Sequence, residues 1–156
     1  MTKTTQLDHS PHFLSEQPML KSPFMDIPYA PSISHILGAL SIYDLEDTVG
    51  EALWKYDPND EKQRETIIIE FILKDLMYLS YRHRFVLISA LKDALDSPDF
   101  NFTKEFESDY DEYITMAWDE TEIVNPRGFF ADIYRLANEV WKDDLQKAGL
   151  EDQSTW

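Results

Sequence analysis

The sequence predicts an all-α protein: a compact bundle of about five helices preceded by an extended, proline-rich N-terminal arm. Three observations predict it. Five of the eight prolines (Pro11, Pro18, Pro23, Pro28 and Pro31) fall in the first 31 residues, and only Pro58, Pro98 and Pro126 follow. No glycine occurs between Gly50 and Gly128. Beyond residue 32 the apolar residues recur at the three- and four-residue intervals of helical faces. The boundaries are therefore 1–31 for the arm and 32–156 for an acidic helical domain. A chain of 156 residues suits one domain and buries roughly 68–70% of its unfolded surface without a metal or disulfide.

In the arm, each proline removes a backbone donor and pushes the residue before it towards extended geometry. The arm still carries Phe13, Leu14, Met19, Leu20, Phe24, Met25, Ile27 and Tyr29, more than a solvated linker needs. It is expected to wrap onto the domain or onto a partner.

The first helix is expected to start at a Ser34 cap and to run through Ile36, Leu37, Leu40, Leu45, Val49, Leu53 and Tyr56. Asp57-Pro58, a cap followed by proline, opens the second, through Glu61, Glu65, Ile68, Ile72 and Leu76. The apolar run Thr66–Leu79 exceeds strand length and follows polar helix formers, so it reads as the central helix, apolar nearly all round. A break near Ser80 precedes Phe85, Leu87, Ile88, Leu91, Ala94 and Leu95 in helical spacing, until Ser97-Pro98. Thr103 is expected to cap a fourth helix with Phe106, Tyr110, Tyr113, Ile114 and Ala117 on one face. Asn125-Pro126 repeats the cap-and-proline signature, and a last helix presents Phe129 to Leu145 and ends near Gly149.

Charge narrows the function. Thirty acids against 14 bases give a net charge of −16 and a pI near 4.4. Direct binding of nucleic acid or of an anionic membrane is not expected, because a counterion-releasing basic surface is missing. The absence of cysteine excludes disulfides, a thiol nucleophile and thiolate metal sites. There is no leader-like or membrane-spanning apolar run, and a cytoplasmic location is expected.

Half of the net charge lies in residues 99–124, where one base, Lys104, faces nine acids. On a helix, Glu105, Asp109 and Glu112 form one stripe and Glu107 and Asp111 a second. Such like-charged neighbours repel by roughly 0.2–0.5 kcal/mol per pair. Asp119, Glu120 and Glu122 extend the acidity past Trp118. Carboxylates interleaved with Tyr110 and Trp118 are what a basic, partly apolar protein surface would meet. The simpler alternative is a solvated acidic face that promotes solubility. The densest basic point, Arg82-His83-Arg84, is expected to neutralise carboxylates within the fold.

Motifs for chemistry are missing. The chain has no glycine-rich phosphate loop, no His-Glu-x-x-His, no Glu-x-x-His and no nucleophile elbow. His9 and His12 read as surface residues and His35 as a packing or capping residue. Neither Asp109–Glu112 nor Asp57–Glu61 has the spacing and central glycine of a calcium loop. No cofactor and no metal are assigned. The expected function is that of a non-catalytic acidic binding protein that neutralises a basic protein partner, of the immunity-protein, antitoxin or nucleic-acid-mimic type. Its binding residues would be Glu105, Glu107, Asp109, Tyr110, Asp111, Glu112, Trp118, Asp119, Glu120 and Glu122. The alternatives are a carboxylate-dependent metal enzyme with Glu61, Glu65, Asp109 and Glu112 as ligands, or an adapter or secretion-type chaperone, which would be a homodimer.

Overall fold

Between Ile67 and Leu76 the apolar residues are too closely spaced to face one side only, and this run forms the centre of the protein. The computed structural model describes residues 19–156. The earlier part of the expected arm, with Phe13, Leu14, His9 and His12, lies outside the described residues. Among the described residues every regular element is helical and strand pairing is confined to isolated bridges, so the fold is the all-α bundle that the sequence predicts.

Helix α1 spans Glu61–Ile67 and continues as a wider, π-type coil over Ile68–Leu73. Its cap is Asp60, whose carboxylate accepts from the Gln63 N–H at 3.0 Å. The expected cap, Asp57, accepts instead from the Asn59 N–H in a tight turn before the helix. Ile67, Ile68 and Ile72 are fully buried, each worth about 1.5–3 kcal/mol relative to exposure.

A 3₁₀ helix, Ile33–Leu40, packs on α1 and buries Ile33, Ile36, Leu37 and Leu40. Ser32 caps it, not Ser34. The expected single helix to Tyr56 does not form. Continuing the buried face from Leu40 would place Tyr43, Asp44 and Asp47 inward and leave Ile42 on another side. The chain instead goes extended at Ser41, which buries Ile42. There the Ile42 N–H donates to Thr115 C=O and the Ala117 N–H to Leu40 C=O. It coils again only over Glu46–Gly50 and Glu51–Leu53.

Helix α2, Tyr81–Leu95, is capped by Ser80 as its break predicts. Helix α3, Pro126–Val140, is capped by Asn125, whose side chain accepts from the Gly128 N–H at 2.9 Å. An added Cβ at Gly128 would lie 2.4 Å from that side chain, so the tight cap requires glycine. A kink at Trp141 separates α3 from α4, Lys142–Leu150. The basic triplet is used inside the fold. Arg82 binds Glu151, while the buried Arg84 binds Asp144 at 3.0 Å and lies over the Trp141 ring. His83 holds the described part of the arm: its Nε2 meets Lys21 C=O at 2.6 Å and Tyr29 packs edge-on against the ring. Accepting from the Ser80 hydroxyl at Nδ1 leaves Nε2–H as the donor to that carbonyl.

One residue ties α2, α3 and the acidic segment together. The Arg127 guanidinium donates to Leu95, Ser97, Pro98 and Phe100 carbonyls and lies over the Phe102 ring at 4.8 Å. It satisfies acceptors at the end of α2 and fixes the turn that leads into residue 99. Arg127→Met, which keeps the stem and removes the fork, should destabilise the fold by about 2–4 kcal/mol in denaturant titration. Arg127→Lys should recover only part of that, because one ammonium cannot span the four acceptors.

At the opposite end, the Tyr81 hydroxyl and then Arg82 hold the Glu151 carboxyl below the usual carboxylate range. A carboxylate with a lowered folded value contributes stability above its unfolded value, and loses it as pH falls through the folded one. Tyr81→Phe should therefore move the onset of acid unfolding to higher pH, a shift readable by circular dichroism.

Candidate functional site

Residues 99–124 do not form the expected helix, and the reason lies in their own side chains. Phe102 and Phe106 pack against Phe129 and Phe130 of α3, with ring centroids 4.9–5.7 Å apart. That leaves one short 3₁₀ turn, Phe102–Phe106, capped by Asn101 and not by Thr103. Ser108, Asp109 and Asp119 then accept from the Met116, Asp111 and Thr121 N–H groups, local bonds that compete with a helical ladder. The repulsion between stacked carboxylates adds to the preference. The chain avoids that repulsion by turning, so Glu105, Asp109 and Glu112 share no helical stripe.

What forms instead is a narrow loop. Asp109 and Ile114 exchange both backbone hydrogen bonds, at 2.8 and 2.9 Å, and Tyr110–Glu112 make one 3₁₀ turn at the tip. Tyr113 closes the turn in the left-handed conformation, φ 58° and ψ 43°, a region disfavoured for a bulky side chain. The tip presents Tyr110, 71% exposed, and Tyr113, 67% exposed. Tyr113 packs edge-on against Tyr43 at 5.3 Å, and Asp44 beside it is also left-handed. Two acidic loops thus meet, Tyr43–Asp47 and Asp109–Glu112, with three exposed tyrosines among Asp44, Glu46, Asp47, Asp111 and Glu112. The contribution of residues 43–47 is missed when they are read as part of a helix. The run Tyr43-Asp44…Glu46-Asp47, out of phase with the buried face of the preceding turns, is the signal that marks it.

The other expected site residues divide. Glu107 is exposed and Glu120 half-buried; neither has an ion-pair partner among the described residues. Glu105 accepts from the Ser34 hydroxyl at 2.9 Å and Asp109 is bound within the loop. Asp119 is a turn cap, and bonds from the Thr121 hydroxyl and N–H hold its carboxyl below the ordinary value. Glu122 accepts from the Asp119 N–H. Trp118 is buried and belongs to the core, so it offers nothing to a partner. Of the alternative metal ligands, Glu65 is paired with Arg135. No three acidic or histidine side chains among the described residues are grouped as a metal site would require.

A cavity of about 730 Å³ lies behind the acidic loop, between the arm, the first 3₁₀ helix and the turn over residues 75–79 that follows α1. Glu105, Glu107 and Asp109 border it, so acidic segment and cavity share one edge. Leu37, Leu76, Leu79, Leu87, Ile114 and Met116 line it with apolar surface, and Phe24, Tyr29 and Tyr78 are contributed from the arm side. Burial, together with Tyr78, pushes the Tyr29 hydroxyl up to about 12.

The left-handed Tyr113 gives a direct test of the loop. A non-glycine residue there costs about 1–2 kcal/mol. Tyr113→Gly should leave stability unchanged or raise it by up to about 1 kcal/mol despite the lost tyrosine contact, whereas the β-branched Tyr113→Val should lower it. Urea unfolding midpoints separate the two.

Compared with models of known protein families, with curated proteins and with solved structures, the chain gives no match.

Proposed function

We propose that this protein is a non-catalytic acidic binding protein that neutralises a basic protein partner, in the manner of an immunity protein, an antitoxin or a nucleic-acid mimic. One observation carries the reading. All five arginines make hydrogen bonds inside the fold, while no carboxylate of residues 99–124 forms an ion pair among the described residues. Unpaired carboxylates are thus left around the exposed tyrosines Tyr43, Tyr110 and Tyr113. Tyrosine supplies contact area at small entropic loss, and unpaired carboxylates supply long-range attraction. A merely solubilising face needs the charge but has no use for tyrosines at its centre or for a left-handed Tyr113 that displays one of them.

The partner should be captured at low salt, purified, and its association rate followed against salt. The rate should fall steeply as ionic strength rises. Reversing Glu107, Asp111 and Glu112 to Lys, residues that hold nothing else in place, should slow association about tenfold or more. Reversing Glu70, Asp93 and Asp143, exposed acids outside residues 99–124 and outside residues 43–47, controls for net charge and should have a much smaller effect. Equal rates for the two triple variants would reduce the acidic loops to a solvated face.

A further inference from the structure

The cavity behind the acidic loop has a composition that the acidic surface alone does not explain. Its lining is mainly aliphatic and aromatic, yet four carboxylates, Asp75, Glu105, Glu107 and Asp109, face it against a single lysine, Lys104, and His35. At about 730 Å³ it is within the range of sites that enclose one or two side chains or a small ligand. We propose that this cavity receives an arginine side chain and its apolar neighbour from the basic partner, which rests on the reading of the protein as a neutraliser of such a partner. The apolar walls take the stem and the neighbouring side chain, and the carboxylates take the guanidinium.

Asp75 is the pivotal group. Among the described residues it has neither an ion pair nor a hydrogen bond, and partial burial alone pushes its carboxyl above the ordinary value. Asp75 is itself exposed at the rim of the cavity, and a carboxylate beside apolar surface without a cation is one that an incoming guanidinium can pair with. Opposite it stands Gly38, where an added Cβ would meet only Asp75 Oδ2, at 3.9 Å. The backbone there has room for a side chain beside Asp75, at the edge that the cavity shares with a smaller pocket lined by Leu45, Val49, Glu70 and Phe71. Phe24 and Tyr78, stacked at 5.7 Å, provide flat surface on which a guanidinium packs well. The shared border with Glu105, Glu107 and Asp109 makes the cavity continuous with the acidic face, so one partner can engage both.

The test uses the full chain and three acetylated, amidated tetrapeptides, Leu-Arg-Phe-Arg, Leu-Glu-Phe-Glu and Gly-Arg-Gly-Arg, with dissociation constants from calorimetry at physiological salt. Leu-Arg-Phe-Arg should bind about tenfold more tightly than either of the others. Asp75→Asn, nearly isosteric, should weaken it about tenfold, the ratio expected for one charge-assisted contact. Gly38→Leu, with its helical spectrum verified, should abolish binding by filling the space. No detectable binding of Leu-Arg-Phe-Arg at millimolar concentration overturns the proposal. So do equal affinities for Leu-Arg-Phe-Arg and Gly-Arg-Gly-Arg, or either folded variant binding as the parent does. If Gly38→Leu does not fold, Asp75→Asn decides alone. Peptide binding can fail while salt-dependent association with the whole partner persists, and the Glu107, Asp111 and Glu112 reversal can be silent while the peptide still binds. The two readings therefore fail separately.

Discussion

The Arg127 guanidinium closes the end of α2 onto α3 and, in the same set of bonds, points the chain at residue 99 towards the phenylalanines of α3. The course of the acidic segment depends on that junction. Once Phe102 and Phe106 are committed to Phe129 and Phe130, the residues between Phe106 and Trp118 have few apolar groups to bury and must cross the surface. A guanidinium suits this place better than any other side chain, because its planar fork matches several carbonyls at once and its face rests on a ring. The remaining arginines behave alike. Arg64 joins α1 to α3 through Asp132, Arg82 and Arg84 join α2 to α4, and Arg135 bridges Glu65 and Glu139. In a chain with twice as many acids as bases, assigning every arginine to such junctions leaves the carboxylates of residues 99–124 without ion-pair partners among the described residues. The acidity of the face is in this sense a consequence of how the interior junctions are made.

The helical core was largely legible in the sequence, and the course of the acidic segment was not. The central helix announces itself because its apolar density exceeds what a strand can hold, and Asn125-Pro126 fixes the start of α3 through local chemistry. Caps chosen from a pair of nearby candidates were misplaced by a few residues, Ser34 for Ser32, Asp57 for Asp60 and Thr103 for Asn101. At each site more than one side chain could make the local bond, and tertiary packing selects among them. The larger difference concerns residues 41–45 and 107–118. Both were read as helix from apolar spacing, but a spacing match does not show whether the matched face has anything to pack against. Ile42 and Met116 are buried by pairing extended segments with each other, a non-local solution that no local period reveals. The acidic residues stand out in the sequence by their concentration alone. Their roles, whether free in solvent, bound in a turn or bordering a cavity, follow from the bends that the spacing argument missed.

Trp118 and Tyr110 show why composition alone could not assign them. Both stand among carboxylates in sequence. Trp118 follows Ala117, whose N–H is held by Leu40 C=O, and is carried into the core. Tyr110 stands at the tip of a loop closed four residues later, where no neighbour exists to cover it. A difference in backbone pairing of a few residues separates an anchor of the core from a side chain left in solvent.

Strain and stability are segregated in this molecule. The burial of Ile67, Ile68 and Ile72 in α1, and the arginine junctions around it, lie away from the two loops where left-handed Asp44 and Tyr113 and unpaired carboxylates gather. Each unfavourable term in those loops is of order 1 kcal/mol, small enough for the core to carry without loss of the fold. Those terms are not symmetrical towards a partner. The carboxylates of residues 99–124 have no ion-pair partner among the described residues, so an added cation would find them free. On the proposed reading such a surface would favour a basic partner through the attraction that its unpaired carboxylates offer. The same carboxylates would offer no such attraction to a neutral or acidic protein. On that reading selectivity for charge would follow from leaving these carboxylates uncompensated, with the arginines held at the helix junctions instead.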